Sequence, residues 1–308
     1  METLLITHPS FHLHEMGAGH PESPERLDAI ERQLTGSGLS KRLVIEEARA
    51  ATDVDLLRVH SASHLSYLAQ IAPASGYSEI DADTILNPHT LTAARYAAGA
   101  GLTGIDAIMQ NRARSVFCMV RPPGHHATRS QAMGFCFYNN VAVAMAYAME
   151  HYGIKRVALV DFDVHHGNGS EDIFAGNDQV LMCGFYQHPF YPGGAQEPPA
   201  QNMVNIAVKA RSSAEQVRQV VSQHWLPRLR EFAPELLFFS AGFDAHDHDE
   251  MAHLMLLESD FQWITEQVMA SCYPSTQGKV LSMLEGGYDC PSLGRSVEVH
   301  IKALSTCL

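Results

Sequence analysis

The stretch Leu159-Val-Asp-Phe-Asp-Val-His-His-Gly-Asn-Gly169 decides how the rest of the chain is read. An apolar run, Arg156-Val-Ala-Leu-Val160, breaks directly into Asp161, Asp163, His165 and His166. Burying that many ionisable groups behind a hydrophobic strand is costly unless a cation or hydrogen bonds satisfy them. In extended backbone, residues i and i+2 face the same side. Asp163 and His165 can therefore aim a carboxylate oxygen and an imidazole nitrogen at one point, with the Asp161 carboxylate just behind. One hard oxygen and one borderline nitrogen suit Zn²⁺, or a related divalent ion such as Fe²⁺ or Co²⁺. A D-x-H pair alone is also a common surface turn, so its weight comes from the motifs further along.

Outward from that stretch, strands alternate with helices. Strands are expected at Leu4–Thr7, Ser115–Val120, Arg156–Val160, Val180–Phe185, Met203–Val208, Leu236–Ser240 and Val280–Leu284. A helix should start at Ser23-Pro24-Glu25, with Ser as N-cap, Pro in the first position and an acid in the first turn, and end near Gly36 or Gly38. Two short helices are expected between Asp53 and Ala72, and longer ones at Thr90–Asn111, Asn140–Tyr152, Ser212–Phe232, Ser259–Ser271 and Pro291–Leu304. The Ala- and Gly-rich composition of Thr90–Asn111 fits a helix packed closely on a sheet. Several strands are apolar on both faces, the pattern of a parallel sheet covered by helices on each side. No composition break, repeat or low-complexity linker divides the chain, so residues 1–308 read as one α/β domain. His60 and His64 stand four apart and could form a ligand pair, but with no acid or Cys motif nearby, capping or surface exposure is the preferred reading.

Four strands run into dense polar sequence: Arg121-Pro-Pro-Gly-His125-His126, Asp161-Phe-Asp163-Val-His165, Ala241-Gly-Phe-Asp244 and Glu285-Gly-Gly-Tyr288. Open parallel sheets bind ligands at the carboxyl ends of their strands. Each cluster alone could be an ordinary strand-to-helix loop; four at one edge argue for a site. Asp163, His165 and Asp244 then supply three metal ligands and leave positions open for water and a substrate carbonyl. His125 and His126 can reach a metal-bound water, one acting as general base and then acid. Asp161 and Asn168 are available to hydrogen-bond the far nitrogens of those rings. The Tyr288 hydroxyl, on a Gly-Gly turn, can donate to a developing oxyanion. The reaction class implied is metal-assisted hydrolysis of an amide.

Bulk properties narrow the partners. A net charge of −13 disfavours nucleic acid and is compatible with a cationic small molecule or basic peptide. The apolar stretches fall short of a membrane span, and Met1-Glu-Thr lacks the basic start of a secretory leader. The cysteines at 118, 136, 183, 272, 290 and 307 form no C-x-x-C pair and read as free thiols in a reducing cytoplasm.

Pro122-Pro-Gly-His-His126, Gly134-Phe-Cys-Phe-Tyr-Asn-Asn140, Asp161–Gly169, Ala241-Gly-Phe-Asp244 and Leu284-Glu-Gly-Gly-Tyr288 together resemble the histone deacetylase superfamily, which includes acetoin-utilisation proteins and acetylpolyamine amidohydrolases. The motifs run in family order from about residue 18 to 290, and Asn168, where class I members place an Asp, resembles the class II branch. The resemblance implies the arginase/deacetylase fold, a parallel sheet of about eight strands flanked by helices. It implies one Zn²⁺ on Asp163, His165 and Asp244, His126 as general base and acid, His125 with Asp161 as an electrostatic partner, and Tyr288 polarising the acetyl carbonyl. Gly134, Phe135, Tyr191 and Gly287 match positions of a narrow tunnel for an acetyl-lysine-like chain, although Phe135 and Tyr191 could be core aromatics. Arg26 resembles the arginine of an inner acetate channel, with a helix-surface salt bridge as the competing reading.

Departures from the pattern carry information. Family members often have Ser-x-His in the strand after the metal motif, where the serine helps bind a structural K⁺. Here the stretch reads Cys183-Gly-Phe-Tyr186, leaving a K⁺ to depend on backbone carbonyls. The loop His246-Asp-His248-Asp-Glu-Met-Ala-His253 reads as a solvated rim rather than a second metal site. An arginase-like two-metal ureohydrolase would need further aspartates that Asp163-Val-His165-His and Asp244-Ala-His246 do not furnish. A silent acyl-lysine-binding module would be expected to lack a ligand or the tyrosine, and none is missing. Rim loops at 11–20, 76–89 and 246–253 would choose between acetylated protein, acetylpolyamine and other acyl amides; the sequence leaves this and the oligomeric state open.

Overall fold

The computed structural model describes residues 3–194 and 198–306. Its strands are β1 (Leu4–Thr7), β2 (Val44–Glu47), β3 (Ser78–Glu79), β4 (Ile85–Leu86), β5 (Ser115–Cys118), β6 (Val157–Asp161), β7 (Val180–Gln187), β8 (Met203–Val208), β9 (Leu236–Ala241) and β10 (Val280–Leu284). Its helices are α1 (Glu25–Gly36), α2 (Asp53–Leu56), α3 (Ala62–Ile71), α4 (Thr90–Met109), α5 (Asn140–Tyr152), α6 (Asn168–Phe174), α7 (Ala214–Val220), α8 (Leu226–Phe232), α9 (Glu258–Thr276) and α10 (Cys290–Thr306). Eight strands form one parallel sheet in the order β2-β1-β5-β10-β9-β6-β7-β8, and β3 and β4 make a separate two-stranded antiparallel ribbon.

Both faces of this single α/β domain are covered, as the doubly apolar strands predict. Leu281 pairs with Val116 and Ser282 with Phe117, so the two pairs project to opposite faces. Gly104 of α4 comes down on Leu281, Val116 and Ile6, close enough that a Cβ would overlap the Leu281 side chain. His300 of α10 sits on the other face among Phe117, Phe162, Phe239 and Phe243. Its ring nitrogens bond Ser282 Oγ at 2.8 Å and Thr265 Oγ1 at 2.7 Å, which satisfies a polar group in the middle of the core.

Several elements differ from the sequence expectation. The edge strand β2 escaped notice because it is largely exposed and shows neither alternation nor a doubly apolar run. Helix α6 begins inside the Gly-Asn-Gly motif, where no helix was expected. The expected Ser212–Phe232 helix begins at Ala214, and residues 214–232 form one helical passage interrupted by a π-turn at Val221–Trp225, just before Pro227, which has no N–H to donate. Helix α9 runs on to Thr276 and carries Pro274 in its last turn. Ser23 does not cap α1: Pro24 occupies the N-cap position and no side chain caps the helix. No disulfide forms among the described cysteines; Cys118, Cys136, Cys183 and Cys272 are buried, Cys290 is half-buried, and Cys307 lies outside the described residues. No helix among the described residues is long and apolar enough to cross a membrane.

Burial pulls the His300 pKa down to about 3, so the folded chain holds this ring neutral. An unfolded His titrates near 6.5, so the unfolded state takes up a proton first as pH falls. Its contribution to stability is complete above pH 6.5 and declines as pH falls towards 3. His300→Gln keeps both hydroxyls partnered but removes the proton linkage. Urea unfolding at pH 7 and pH 5 should show the loss on acidification reduced by about 2 kcal/mol in this variant; an undiminished loss would show that His300 is not buried in the neutral form.

Candidate active site

The carboxyl ends of β5, β6, β9 and β10 meet, because β5, β10, β9 and β6 are consecutive neighbours in the sheet. One buried carboxylate ties three of these ends together. Glu285 Oε2 accepts from Gly124 N at 2.7 Å and His125 N at 3.1 Å, and Oε1 accepts from Ser240 Oγ at 3.0 Å. Burial pushes its pKa up to about 7, against the pull of His125 and those amides. The sequence reading gave Glu285 no role, since nothing local shows that it faces inward beneath the His-His pair.

Asp163, His165 and Asp244 come together as expected from their motifs. Each offers one ligand atom, and these atoms lie within 4.8 Å of one another. His165 Nδ1 is 3.1 Å from Asp163 Oδ1 and 3.2 Å from Asp244 Oδ2. The backbone fixes the carboxylates: Gly286 N donates to Asp163 Oδ2, and Val164 N to Asp244 Oδ1, both at 2.9 Å. Glycine is required at 286, where a Cβ would fall 2.1 Å from Asp244 Oδ2. Burial and the neighbouring Asp163 push Asp244 up to about 6. Burial lowers His165, but the two carboxylates outweigh it and raise the ring to about 10. Two buried carboxylates facing one imidazole are short of positive charge, and an N,O,O donor set at this spacing fits a divalent cation. Among the described residues this is the one group of three that could hold a metal ion.

The histidine pair lies beside the triad, with ring centroids 4.0 Å apart. His125 Nδ1 donates to Asp161 Oδ2 at 3.0 Å, and His126 Nδ1 donates to Asn168 Oδ1 at 2.7 Å. The partners give the rings opposite character. Burial lowers His125, but Asp163 and Asp161 outweigh it and hold the ring well above its usual value. Burial, His125 and His165 hold His126 well below. Tyr288 stands opposite, and burial keeps its phenol protonated far above the usual range despite the nearby Arg26.

His126, His165 and Tyr288 line a narrow cavity of about 140 Å³ whose other walls are Gly134, Phe135, Phe190, Tyr191, Met251 and Asp83. Larger hollows exist, such as one of about 1050 Å³ around Arg156 and Arg228, but they hold none of these groups. Gly134 and Phe135 both adopt positive φ, +55° and +68°, in a tight hairpin that turns the phenyl ring edge-on to Tyr288. Tyr191 packs edge-on to His126 at 5.2 Å, so Phe135 and Tyr191 form walls rather than core. Phe190, stacked on His165 at 5.5 Å, was missed, as were Met251 and Asp83, which lie on loops with no local signal. Gly287 does not line the cavity: it packs on Leu293 and Phe243, and its carbonyl serves Arg26.

Arg26 is fully buried and not on a helix surface. Its Nε donates to Gly287 O at 2.7 Å, Nη2 to Glu285 O at 2.5 Å and Nη1 to Glu22 Oε1 at 3.0 Å, while its guanidinium lies 5.0 Å over the Tyr288 ring. His60 and His64 are also buried. They bond the backbone of Thr128, Asn139 and Phe137, bracing the loop between β5 and α5, and are neither exposed nor ligands. In the 246–253 loop, Asp247, His248, Glu250 and His253 are exposed as a rim, whereas His246 and Asp249 are buried.

Comparison with known proteins accords with this site. The sequence profile of the histone deacetylase domain matches residues 20–304. A histone deacetylase-like amidohydrolase of Pseudomonas aeruginosa is 34% identical over 88% of this chain and 73% of its own. A probable deacetylase of Methanothermobacter thermautotrophicus is 36% identical over 98% of this chain and 90% of its own. The crystal structure of the HDA15 HD domain superposes with a TM-score of 0.91 at 33% identity, covering 98% of this chain and 89% of that one. With four motif-bearing strand ends meeting in one cleft and a match across nearly its whole length, the chain belongs to the histone deacetylase family and is a hydrolase.

Proposed function

We propose that this hydrolase is a zinc-dependent deacetylase that cleaves the N-acyl amide of a lysine-like or polyamine amine and releases acetate. The observation that carries the proposal is that His165, which shares the triad with Asp163 and Asp244, lines one aromatic-walled cavity together with His126 and Tyr288. Asp163, His165 and Asp244 would hold a divalent cation, which would supply a Lewis acid for the amide carbonyl and make a water more acidic at neutral pH. His126, kept neutral, accepts the proton of the attacking water at Nε2 while its Nδ1–H stays on Asn168. Because Asn168 is uncharged, it orients the ring without trapping the proton, and His126 can pass it on to the leaving nitrogen. His125, paired with Asp161, stays cationic and favours negative charge in the cleft. The Tyr288 hydroxyl donates to the carbonyl oxygen as it becomes an oxyanion. The new carbon–oxygen bond replaces the carbon–nitrogen bond, giving acetate and free amine. Arg26, behind Tyr288, places a cation on the inner side, where released acetate would be drawn.

The walls favour an apolar linker, since Phe135, Phe190 and Tyr191 surround it with aromatic surface. Asp83 at the wall and the net charge of −13 favour a cationic carrier, which suits both acetyl-lysine peptides and acetylpolyamines. We place the enzyme in the cytoplasm, in keeping with its free thiols.

The residues also fit a structural K⁺. Asp161, Gly184 and Asn205 lie in one row across β6, β7 and β8. Asn205 Nδ2 is fixed on Glu171 Oε2 at 2.6 Å, which leaves Oδ1 buried without a partner. That oxygen and the Asp161 carbonyl lie 2.8 and 3.4 Å from the point where a Gly184 side chain would begin. Neutral oxygens suit a monovalent cation, and the Asn205 oxygen stands in for the missing serine hydroxyl.

Purified protein should hydrolyse acetylated peptides or acetylpolyamines, lose turnover on chelation, and bind one catalytic ion per chain by metal analysis. Chelator-resistant turnover, or two tightly bound ions in the triad, would sink the proposal. Tyr288→Phe should lower kcat by roughly 10²- to 10³-fold and leave KM nearly unchanged; equal turnover would remove the tyrosine from its role. For the K⁺, wild-type Tm should be higher in KCl than in choline chloride and lose that difference in Asn205→Ala. A salt-independent wild type would indicate a water at this position instead.

A further inference from the structure

Asp249 is buried although it lies on the exposed rim loop, and the proposed chemistry gives it no role. Its carboxylate collects backbone N–H donors from two separate loops. Oδ2 accepts from Tyr288 N at 2.6 Å and Asp289 N at 3.0 Å, and Oδ1 accepts from Met251 N at 3.0 Å. A carboxylate taking three backbone N–H bonds is strongly fixed, because each bond is charge-assisted and shielded from water. On one side of this joint stands Met251, whose side chain walls the cavity; on the other stands Tyr288.

The Tyr288 segment is held on both flanks, by Phe243 N on the Gly286 carbonyl at 2.9 Å and by Leu293 N on the Asp289 carbonyl at 2.8 Å, and Asp249 is what holds the Tyr288 amide between them. Tyr288 follows Gly286 and Gly287, the latter at φ +119°, and glycines leave a backbone free unless something pins it. The Gly287 carbonyl is pinned from below by Arg26, and the Tyr288 and Asp289 amides are pinned from the side by Asp249. A hydrogen-bond donor acting on a developing charge must stand within a fraction of an ångström of its place.

We propose that Asp249 is a positioning residue: it clamps the backbone of Tyr288 and couples the rim loop carrying Met251 to the phenol's place in the cleft. This inference rests on the role given to Tyr288 above. It does not require Asp249 to touch substrate or metal. A substrate that presses on the rim loop would be felt at Tyr288 through this one carboxylate, so the clamp also ties recognition at the mouth to the chemistry at the floor.

The test is a double-mutant cycle. Asp249→Ala should lower kcat roughly 10- to 100-fold with KM within about twofold, while bound metal stays at the wild-type level. In a Tyr288→Phe background the same change should cost less than about twofold, because the group it positions is already gone. Asp249→Asn, which keeps one acceptor oxygen for the Tyr288 and Asp289 amides, should restore part of the lost kcat and serves if the alanine variant folds poorly. Amide hydrogen exchange at Tyr288 and Asp289 should quicken in Asp249→Ala, and this readout needs no substrate. A loss of equal size in the Tyr288→Phe background, a loss that follows metal content, or unchanged exchange at both amides would each overturn the proposal. A wild type inactive on every acyl amine would sink the deacetylase reading instead, and the exchange measurement would still decide whether the clamp exists.

Discussion

Electrostatic neutralisation at the carboxyl edge of the sheet is the constraint on which the rest of the molecule depends. Asp161, Asp163, Asp244 and Glu285 are all buried within one cleft. Four carboxylates this close would expel one another or take up protons in a low-dielectric setting. The fold answers with amides: Gly286 N and His165 N on Asp163, Val164 N on Asp244, Gly124 N and His125 N on Glu285. Each amide belongs to a turn that leaves a strand end, so the turns exist in the conformation that the carboxylates need. His125 and His165 supply further positive character, and a cation held by the triad would complete it.

Behind that edge lies a second charged layer. Glu22 is fully buried; burial would raise its carboxyl, but Arg121 and His14 outweigh it and hold it well below the ordinary range. Arg121 grips it through Nε at 2.5 Å and Nη2 at 2.8 Å, and Arg26 through Nη1 at 3.0 Å. Arg121 also bonds the carbonyls of Phe11 and His14, and Arg26 those of Glu285 and Gly287. Removing one member would strand the others without partners, which is far costlier than the net worth of any pair. The layer therefore acts as a rigid base that joins the N-terminal segment to the turn carrying Tyr288.

How much was legible follows from how locally each feature is encoded. The sheet could be read because β5, β6, β9 and β10 are apolar on both faces and break abruptly into polar motifs. β2 could not, since an exposed edge strand obeys no such pattern. Asp163 and His165 announce themselves by spacing within one extended segment, and Asp244 by its place at a strand end. His60 and His64, and the competing surface reading of Arg26, misled because polar-tipped side chains on helices and turns usually reach solvent. Their partners, the carbonyls of Gly287, Thr128 and Phe137, lie far along the chain, and only the folded backbone brings them near. Asp249, Phe190 and Asn205 were silent for the same reason: each acts through a neighbour set by loop path or strand order.

The adjacent histidines show how such distant partners produce chemistry. His125 and His126 share a motif, a cleft and nearly a contact, yet their proton affinities move in opposite directions. The difference does not reside in either ring. It arises because Asp163 and Asp161 surround one ring with carboxylate charge, while the other, buried beside His125 and His165, has only the neutral Asn168 amide on its Nδ1. An aspartate at 168 would raise the second ring as well and set two cations side by side. With asparagine, the proton held by His125 itself depresses His126, which suits the proposed role of His126 as proton acceptor. Asn168 opens α6, immediately after the triad segment; a helix that the sequence reading did not name thus carries the oxygen that sets the two rings apart.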